Sequence, residues 1–282
     1  MSIPEDFDSD EFVRRVLAED LGTRGDVTSS ATIAADARFS AEMNCRQTIV
    51  LAGLDIATSF FLALDHEVEI EQLAKDGDRV GHGTMLMRLT GNARAMLAAE
   101  RSALNTLQHL SGIATLTWQY AHEIVGTGAV LLDTRKTIPG LRVLEKYAAR
   151  MGGAQNHRMG LDDGVLIKDN HVAVCGGVGA AVQSAKAANT GLQVQVEVDR
   201  IDQIEPALDA GADRLLLDNM DPAMLREAVK LVAGRVPLEA SGGVTLETIR
   251  FLAETGVSYI SVGKITQSAP AVDIGLDYSI SR

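Results

Sequence analysis

The sequence predicts an α/β protein in which a small α+β domain precedes a barrel of parallel strands. Two observations lead to this prediction. From about residue 129 onward, short apolar runs that end in polar residues alternate with helix-period segments closed by glycine. The first 110 residues lack this alternation and are predicted to form a separate domain. The apolar runs predicted as strands are 129–133, 164–168, 194–198, 215–218, 236–241 and 259–263.

The segments between these runs have the signals of helix ends. Segment 221–232 opens on Asp-Pro and closes near Gly234, and segments 201–208 and 245–252 also end close to a glycine. Alternating strands and helices are typical of a parallel sheet. Each predicted strand ends in a residue that could bind a ligand or take part in a reaction. A barrel, which gathers all strand ends around one mouth, is therefore favoured over an open doubly wound sheet, which spreads them along an edge.

The N-terminal part has a different pattern. Segments 38–45 and 67–70 alternate as strands do, glycines mark turns near residues 77–83, and 95–110 is a long helix pattern. We predict an N-terminal domain over residues 1–110 and a catalytic barrel over 111–269. The tail, 270–282, is a candidate to pack with the N-terminal domain.

Composition narrows the function classes. The chain has 282 residues, of which 46% are hydrophobic and 4% aromatic, a composition typical of a globular protein. Its formal charge of -12 disfavours a nucleic-acid partner. Cys45 and Cys175 have no metal-ligand spacing, so we expect free thiols in a reducing compartment. The acidic start lacks the apolar core of a signal peptide, and no apolar run reaches the roughly 18 residues of a membrane span. A cytoplasmic protein without a membrane partner is expected.

A cationic island interrupts this acidic chain between residues 133 and 171. Because cations gather there against the overall charge, we predict a small anionic substrate with more than one anionic group. The guanidinium of arginine donates two parallel hydrogen bonds to a carboxylate, each contributing about 1.5–3 kcal/mol. The basic residues of the island are Arg135, Lys136, Arg142, Lys146, Arg150, Arg158 and Lys168, with His157 beside Arg158.

Lys168 follows a predicted strand and has three interpretations. It could donate to a phosphate or carboxylate, form a Schiff base with a carbonyl substrate, or make an internal ion pair with Asp169 or Asp218. The sequence favours the anion donor and leaves the other two open.

Two carboxylates and two glycine-containing turns follow the later strands. Glu197 and Asp218 can supply oxygens to Mg²⁺ or to sugar hydroxyls, or can transfer protons. The turns at 241–244 and 261–263 can bind phosphate through backbone N–H groups. Neither 126–128 nor 176–179 has the context of a dinucleotide fingerprint, and the six histidines have no close metal-binding spacing.

At this level of detail the chain resembles the decarboxylating quinolinate phosphoribosyltransferases, also called nicotinate-nucleotide pyrophosphorylases. The resemblance extends over nearly the whole chain, and the order of so many long motifs makes it specific. The segments that carry it are 19–22 with 25–28, 100–105, 111–115, 133–142, 145–147, 156–161, 166–171, 197–198, 217–219 and 240–243.

The resemblance implies a fold and a reaction. The fold is an N-terminal α/β sandwich joined to an open α/β barrel. Members transfer the phosphoribosyl group of phosphoribosyl pyrophosphate to quinolinate, with Mg²⁺, and release pyrophosphate and CO₂ to give nicotinate mononucleotide for NAD synthesis. They form dimers, and higher oligomers are also compatible with the sequence.

The resemblance also assigns roles to residues of this chain. Quinolinate would be held by Arg135, His157, Arg158 and Lys168, with Arg101 reaching in from the other subunit. Lys136 and Lys168 would face phosphates, and Glu197 and Asp218 would address the ribose and Mg²⁺; these four are the predicted catalytic residues. Phosphate would be bound by the backbone of Ser241, Gly242, Gly243 and Gly263.

One segment departs from the family pattern, and other functions stay open. Some relatives carry histidine or lysine near the phosphate after residue 263, whereas this chain has Lys264 and Gln267, whose contribution is therefore undecided. The main alternative is a related transferase that uses nicotinate or another pyridine or pyrimidine carboxylate. A Schiff-base lyase and a non-catalytic binder of phosphorylated metabolites are the remaining alternatives.

Overall fold

The computed structural model describes residues 3–4 and 7–279. The helices of this part are α1 (Ser9–Leu21), α2 (Val27–Thr32), α3 (Leu54–Leu64), α4 (Ala93–Glu123), α5 (Arg142–Met151), α6 (Asp169–Cys175), α7 (Val178–Ala187), α8 (Ile204–Asp209), α9 (Pro222–Val232), α10 (Leu246–Ala253) and α11 (Lys264–Gln267). The strands are β1 (Arg38–Cys45), β2 (Ile49–Val50), β3 (Glu69–Gln72), β4 (Arg79–Val80), β5 (Met85–Asn92), β6 (Val130–Leu132), β7 (Val165–Ile167), β8 (Val194–Val198), β9 (Arg214–Asp218), β10 (Leu238–Ser241), β11 (Tyr259–Ser261) and β12 (Ile274–Ser279).

The chain divides into two compact units. Unit 1 consists of Met1–Leu116, Val143–Gly152 and Ser268–Arg282, and unit 2 consists of Thr117–Arg142 and Gly153–Gln267. The division falls inside α4, which continues well beyond the helix pattern seen at 95–110 in the sequence. It also differs from the sequence-based boundaries at 143–152, a segment that was expected in the barrel.

Contacts of α5 explain why this segment belongs to unit 1. The hydroxyl of Tyr147 donates to a carboxylate oxygen of Asp76 at 2.6 Å, and Nε2 of His109 lies 2.8 Å from Oε1 of Glu145. Burial and the neighbouring carboxylate of Asp76 raise the pKa of the Tyr147 hydroxyl, so it remains a donor. Local periodicity cannot reveal these partners because they lie more than 30 residues away along the chain.

Unit 1 is built on an antiparallel sheet with the strand order β12-β1-β5-β3. Alternate residues of β1 point into the core, where Ala41, Met43 and Cys45 are fully buried. The tail of the chain supplies β12, which pairs with β1 and places Leu276 opposite Met43. Residues 280–282, the end of the tail that was predicted to pack with the N-terminal domain, lie outside the described residues.

Unit 2 contains six parallel strands in the order β6-β11-β10-β9-β8-β7. Consecutive strands are neighbours, and the first, β6, pairs with the last, β11, which is the cyclic order of a barrel opened between β6 and β7. A bridge between Leu132 and Gln155 brings the next chain segment alongside β6 at this opening. The prediction of an open parallel barrel over a doubly wound sheet is confirmed, and the carboxyl ends of all six strands therefore share one end of the unit.

Two further features bear on the sequence-based expectations. Cys45 is buried and Cys175 is exposed, and both are free thiols. Among the described residues, none of the helices combines the length and the apolar character that a membrane span requires.

Candidate active site

A cavity of about 840 Å³ lies at the carboxyl ends of the strands of unit 2. The residues predicted for the site that line it are Arg135, Lys136, His157, Arg158, Lys168, Glu197, Asp218, Ser241, Gly242, Gly243 and Gly263. Lys264 and Gln267, whose contribution the sequence left undecided, line it as well. Arg101 belongs to unit 1, where its side chain is exposed on α4.

The cationic island is divided in the folded chain. Arg142 donates through Nη1 to the carbonyl of Met159 at 3.1 Å, so it stabilises a loop. Lys146 is fully buried in unit 1, and Arg150 lies 5.6 Å from the ring of Tyr147 on the same helix. The cations that remain at the cavity are those at the ends of β6 and β7 and in the segment between α5 and β7.

Arg135 and Arg158 bring two guanidinium groups to one side of the cavity. Burial lowers the pKa of Arg158, and the positive charge of Arg135 lowers it further. Its Nη1 donates to the carbonyl of Gly164 at 3.0 Å, which orients the side chain. Two half-buried cations that repel each other would be stabilised by an anion bound between them.

Lys168 makes an ion pair with Glu197, whose side chain is only 10% exposed. The pairing that the sequence left open therefore forms, although with Glu197 rather than with Asp169 or Asp218. An ammonium group held by a carboxylate acts as a hydrogen-bond donor, whereas a Schiff-base lysine requires a free amine. This contact favours the anion-donor interpretation of Lys168.

Asp218 is the second carboxylate of the cavity, at the end of β9. Burial raises the pKa of its carboxyl, and the negative charge of Glu197 raises it further, while the nearby lysines Lys168 and Lys136 act in the opposite direction. The amide of Asn219 donates to Oδ2 of Asp218 at 2.6 Å. Two neighbouring carboxylates on a cavity wall form a negative region that is suited to a cation or to developing positive charge.

Glycines after β10 and β11 let segments of the chain approach closely at the cavity. A Cβ atom at Gly263 would lie 2.8 Å from Cδ of Lys136, so a larger residue there would require the end of this lysine side chain to shift. Gly242 and Gly243 have φ angles of 94° and 60°, in the region that favours glycine. Successive backbone N–H groups in such turns are typical of phosphate sites.

Comparisons with known proteins identify the family of the chain. Residues 26–111 match the model of the quinolinate phosphoribosyl transferase N-terminal domain, and residues 113–277 match that of the C-terminal domain. The chain belongs to the quinolinate phosphoribosyltransferase family. It has the mixed α/β fold and the enzymatic class of that family.

Individual relatives cover the chain almost completely. A probable nicotinate-nucleotide pyrophosphorylase (carboxylating) of Bacillus subtilis is 42% identical over 96% of this chain and 94% of its own length. Quinolinate phosphoribosyltransferase (decarboxylating) 2b of Nicotiana tabacum, named mitochondrial, is also 42% identical, over 96% of this chain and 82% of its own length. The solved nicotinate-nucleotide pyrophosphorylase of Francisella tularensis superposes with a TM-score of 0.92 at 40% identity, covering 96% of both chains.

Glu239 and Asn219 are among the residues that line the cavity but were not singled out from the sequence. Glu239 was part of a predicted strand, but its side chain is fully buried and still lines the cavity. Asn219 adopts a φ of 54°, which is uncommon for a residue other than glycine, and its amide contacts Asp218. A charged residue inside an apolar strand was the available signal for Glu239, and the short motif 217–219 was the signal for Asn219.

The pair Gly242 and Gly243 offers a matched test of the turn after β10. A Cβ atom at Gly242 would lie 2.1 Å from Oδ1 and 2.9 Å from the backbone N of Asn219, whereas nothing lies within 4 Å of a Cβ atom at Gly243. Both alanine variants should suffer backbone strain of about 1–2 kcal/mol. We expect Gly242→Ala to reduce the free energy of unfolding by clearly more than Gly243→Ala, as measured by urea denaturation. Equal losses would contradict the close approach of Asn219.

Proposed function

We propose that the chain catalyses the transfer of phosphoribose from phosphoribosyl pyrophosphate to the ring nitrogen of quinolinate. Pyrophosphate leaves, one carboxyl group departs as CO₂, and the product is nicotinate mononucleotide, a precursor in NAD synthesis. Family membership supports the reaction class, and the residues that line the cavity support the roles described below.

The observation that carries the proposal is the pair of guanidinium groups of Arg135 and Arg158. Quinolinate bears two adjacent carboxylates, and each planar carboxylate can accept two hydrogen bonds from an arginine. Burial and the positive charge of Arg135 lower the pKa of Arg158, and a bound dianion would offset both effects. Lys168 lies on the same cavity and can add a further donor.

The carboxylates suit the ribose part of the reaction. When pyrophosphate leaves, positive charge develops on the ribose ring, and Glu197 and Asp218 would stabilise it from the cavity wall. Lys136 and Lys168 would neutralise the departing phosphate oxygens. Backbone N–H groups of Ser241, Gly242, Gly243 and Gly263 would hold phosphate.

Loss of CO₂ follows from the bond formed first. Attachment of ribose makes the ring nitrogen cationic, and when the C–C bond to the neighbouring carboxylate breaks, its electron pair stays on the ring carbon beside that cation. A proton then binds to this carbon in place of the lost carboxylate, and the product, nicotinate mononucleotide, leaves. The protein contributes by holding the ring and the sugar in position, which lowers the entropy loss in the transition state.

Mg²⁺ is proposed as the metal. Within the described residues, no group of three or more histidine, cysteine or acidic side chains is arranged to hold a metal ion. The two carboxylates Glu197 and Asp218 nevertheless fit Mg²⁺, because this ion commonly takes one or two protein carboxylates and completes its shell with phosphate oxygens and water. When bound, Mg²⁺ would neutralise charge on the pyrophosphate group.

The test is turnover of the purified chain with phosphoribosyl pyrophosphate, Mg²⁺ and either quinolinate or nicotinate. We expect release of pyrophosphate and CO₂ with quinolinate and no pyrophosphate release with nicotinate. Pyrophosphate release with nicotinate alone would replace the proposal with the related transferase. Binding of phosphoribosyl pyrophosphate without turnover of either acid would indicate a non-catalytic protein.

We further propose a homodimer in which Arg101 completes the site of the other subunit. The exposed guanidinium of Arg101 is available to a second copy of the chain. A cytoplasmic location also stays a prediction, since the names of plant relatives place them in mitochondria or chloroplasts.

Subunit mixing tests the role of Arg101. At quinolinate concentrations near the wild-type KM, Arg101→Ala and Arg158→Met should each be nearly inactive alone. A dimer with one subunit of each kind has one site with both arginines intact. Co-expression should therefore restore about a quarter of the wild-type activity, because half of randomly formed dimers are mixed and each has one intact site of two. No recovery in a preparation shown to contain mixed dimers would mean that Arg101 does not act across subunits.

A further inference from the structure

A network around the buried carboxylate of Glu239 borders the cavity. Glu239 sits on β10 and has no exposed side-chain area. Its Oε2 lies 2.7 Å from Nη2 of Arg214 on β9, and it accepts a hydrogen bond of 2.8 Å from the amide of Gln195 on β8. The same oxygen is 3.5 Å from Nε2 of His157. Three strands and one loop therefore meet at a single oxygen atom.

The hydrogen bonds of His157 determine what its ring can do. The backbone N–H of Arg158 donates to Nδ1 of His157 at 2.8 Å. A ring nitrogen that accepts a hydrogen bond carries no proton, so the ring proton lies on Nε2 and faces Glu239. Both ring nitrogens therefore face protein groups, Nδ1 the backbone N–H of Arg158 and Nε2 the carboxylate of Glu239.

The backbone of the same loop is held from the other side by Asp133. This buried carboxylate accepts from the backbone N–H of His157 at 2.8 Å and from the amide of Asn156 at 2.5 Å. Asp133 thus fixes the path of the chain, and Glu239 faces the ring. The next residue along the chain is Arg158, whose guanidinium enters the cavity.

Charge supports a buried anion at this place. Burial alone would raise the pKa of Glu239, but the interaction with His157 and the positive charge of Arg214 outweigh it and hold the pKa below its ordinary value. Arg214 in turn is held against Tyr259, with its Cζ atom 3.8 Å from the ring centre. A buried charge of this kind strongly constrains the groups that pair with it, because leaving any of them unpaired is costly.

We propose that Glu239 is a positioning residue of the carboxylate-binding side of the cavity, acting through the ring of His157 to set the direction of Arg158. This inference rests on the proposed function for the identity of the substrate. It gives His157 a structural link to Arg158 in addition to its place in the cavity lining. Glu239 then acts on quinolinate binding without touching the substrate.

The test is a double-mutant cycle with both substrates varied. Glu239→Gln keeps the size of the side chain but removes its charge, and we expect the KM for quinolinate to rise about tenfold or more, with the KM for phosphoribosyl pyrophosphate changed less than about twofold. His157→Phe should have a similar effect. In the double variant, the KM for quinolinate should exceed that of the stronger single variant by no more than about twofold, since one residue acts through the other.

Two controls separate positioning from general destabilisation. Val232→Ala removes buried apolar contacts from α9, so it should lower the melting temperature while leaving the KM for quinolinate unchanged. The ring proton of His157 is measured directly by ¹⁵N NMR on the wild-type chain, with His157→Phe to assign the signal. We expect the proton on Nε2 even if Glu239→Gln cannot be obtained in folded form.

The outcomes are distinct. An unchanged KM for quinolinate in Glu239→Gln, equal increases in both KM values, additive effects in the cycle, or a proton on Nδ1 would each overturn the proposal. Failure of the wild-type chain to turn over quinolinate would instead remove the proposed function and, with it, the substrate side of this inference. In that case a proton on Nδ1 would still overturn the link from Glu239 through His157 to Arg158.

Discussion

Replacing Arg158 with methionine should raise the KM for quinolinate by about 100-fold or more. The change removes a guanidinium that can make two charge-assisted hydrogen bonds to one carboxylate, each contributing about 1.5–3 kcal/mol. The KM for phosphoribosyl pyrophosphate should change little, because the groups proposed to bind its phosphates remain. Steady-state kinetics with both substrates varied gives the two values separately.

The same variant should not lose stability. Burial and the charge of Arg135 lower the pKa of Arg158, which means that its positive charge is unfavourable in the folded chain. Removing that charge offsets the lost hydrogen bond to the carbonyl of Gly164, worth about 1 kcal/mol. We expect the melting temperature of Arg158→Met without substrate to equal or exceed that of the wild type. Addition of quinolinate should raise the melting temperature of the wild type only.

Arg158→Lys is the matched control for this prediction. It keeps the positive charge but loses the planar fork, so the KM for quinolinate should lie between those of the wild type and the methionine variant. If Arg158→Met has the same KM for quinolinate as the wild type, the proposal that two guanidinium groups hold quinolinate is wrong. The substrate carboxylates would then have to be held elsewhere.

Replacing Asp218 with asparagine should lower kcat by about 100-fold to 1,000-fold, which is typical for loss of one group that stabilises transition-state charge. Positive charge that develops on the ribose would then face one carboxylate, Glu197, instead of two. Binding of quinolinate should be less affected, because its proposed partners are the arginines. Turnover at saturating substrate concentrations measures the effect.

The same substitution should stabilise the chain at neutral pH. Burial and the charge of Glu197 raise the pKa of Asp218 above its unfolded value, so its ionised form reduces the stability of the fold. The stability gained by Asp218→Asn should be largest at pH values above the pKa of Asp218 in the folded chain. It should shrink as the pH falls through the folded pKa and vanish below the unfolded pKa near 3.8, where the wild-type carboxyl is protonated in both states. Melting temperatures from neutral pH down to about pH 4 test this sign.

Asp213, at the other end of β9, provides a control of opposite sign. Burial raises its pKa, but the hydrogen bond from Lys186 and the one from the backbone of Val194 outweigh this effect, so its pKa is lowered. Asp213→Asn should therefore lose stability at neutral pH, and this loss should shrink as the pH falls through the folded pKa. Its kcat should be unchanged. A stability loss in both variants would contradict the environment inferred for Asp218.

Much of unit 2 could be predicted from local sequence. The apolar run 194–198 matches β8, and the Asp-Pro start at 221 matches the beginning of α9, where Asp221 accepts from the backbone N–H groups of Ala223 and Met224. Such features depend on neighbouring residues. Polar residues at strand ends also predicted one shared cavity, because parallel strands of a barrel all end at the same side.

Other features depended on partners that are distant in sequence. The site of α5 in unit 1 follows from contacts of Tyr147 with Asp76, which are 71 residues apart. The sequence left open an ion pair of Lys168 with Asp169 or Asp218, and the carboxylate partner in the structure is Glu197, on the neighbouring strand β8. The local pattern could show that Lys168 needed a partner or an anion, but not which acid would face it.

The sequence alone thus determined the parallel α/β fold of unit 2, the family, and the residues gathered at one cavity, because periodicity, strand ends and long motifs are local properties. Only the tertiary structure decided that Glu239 is a buried carboxylate at the cavity and that both ring nitrogens of His157 face protein groups. Hydrogen-bond direction, burial and pKa depend on which side chains meet across the strands, and this is settled only when the barrel is assembled.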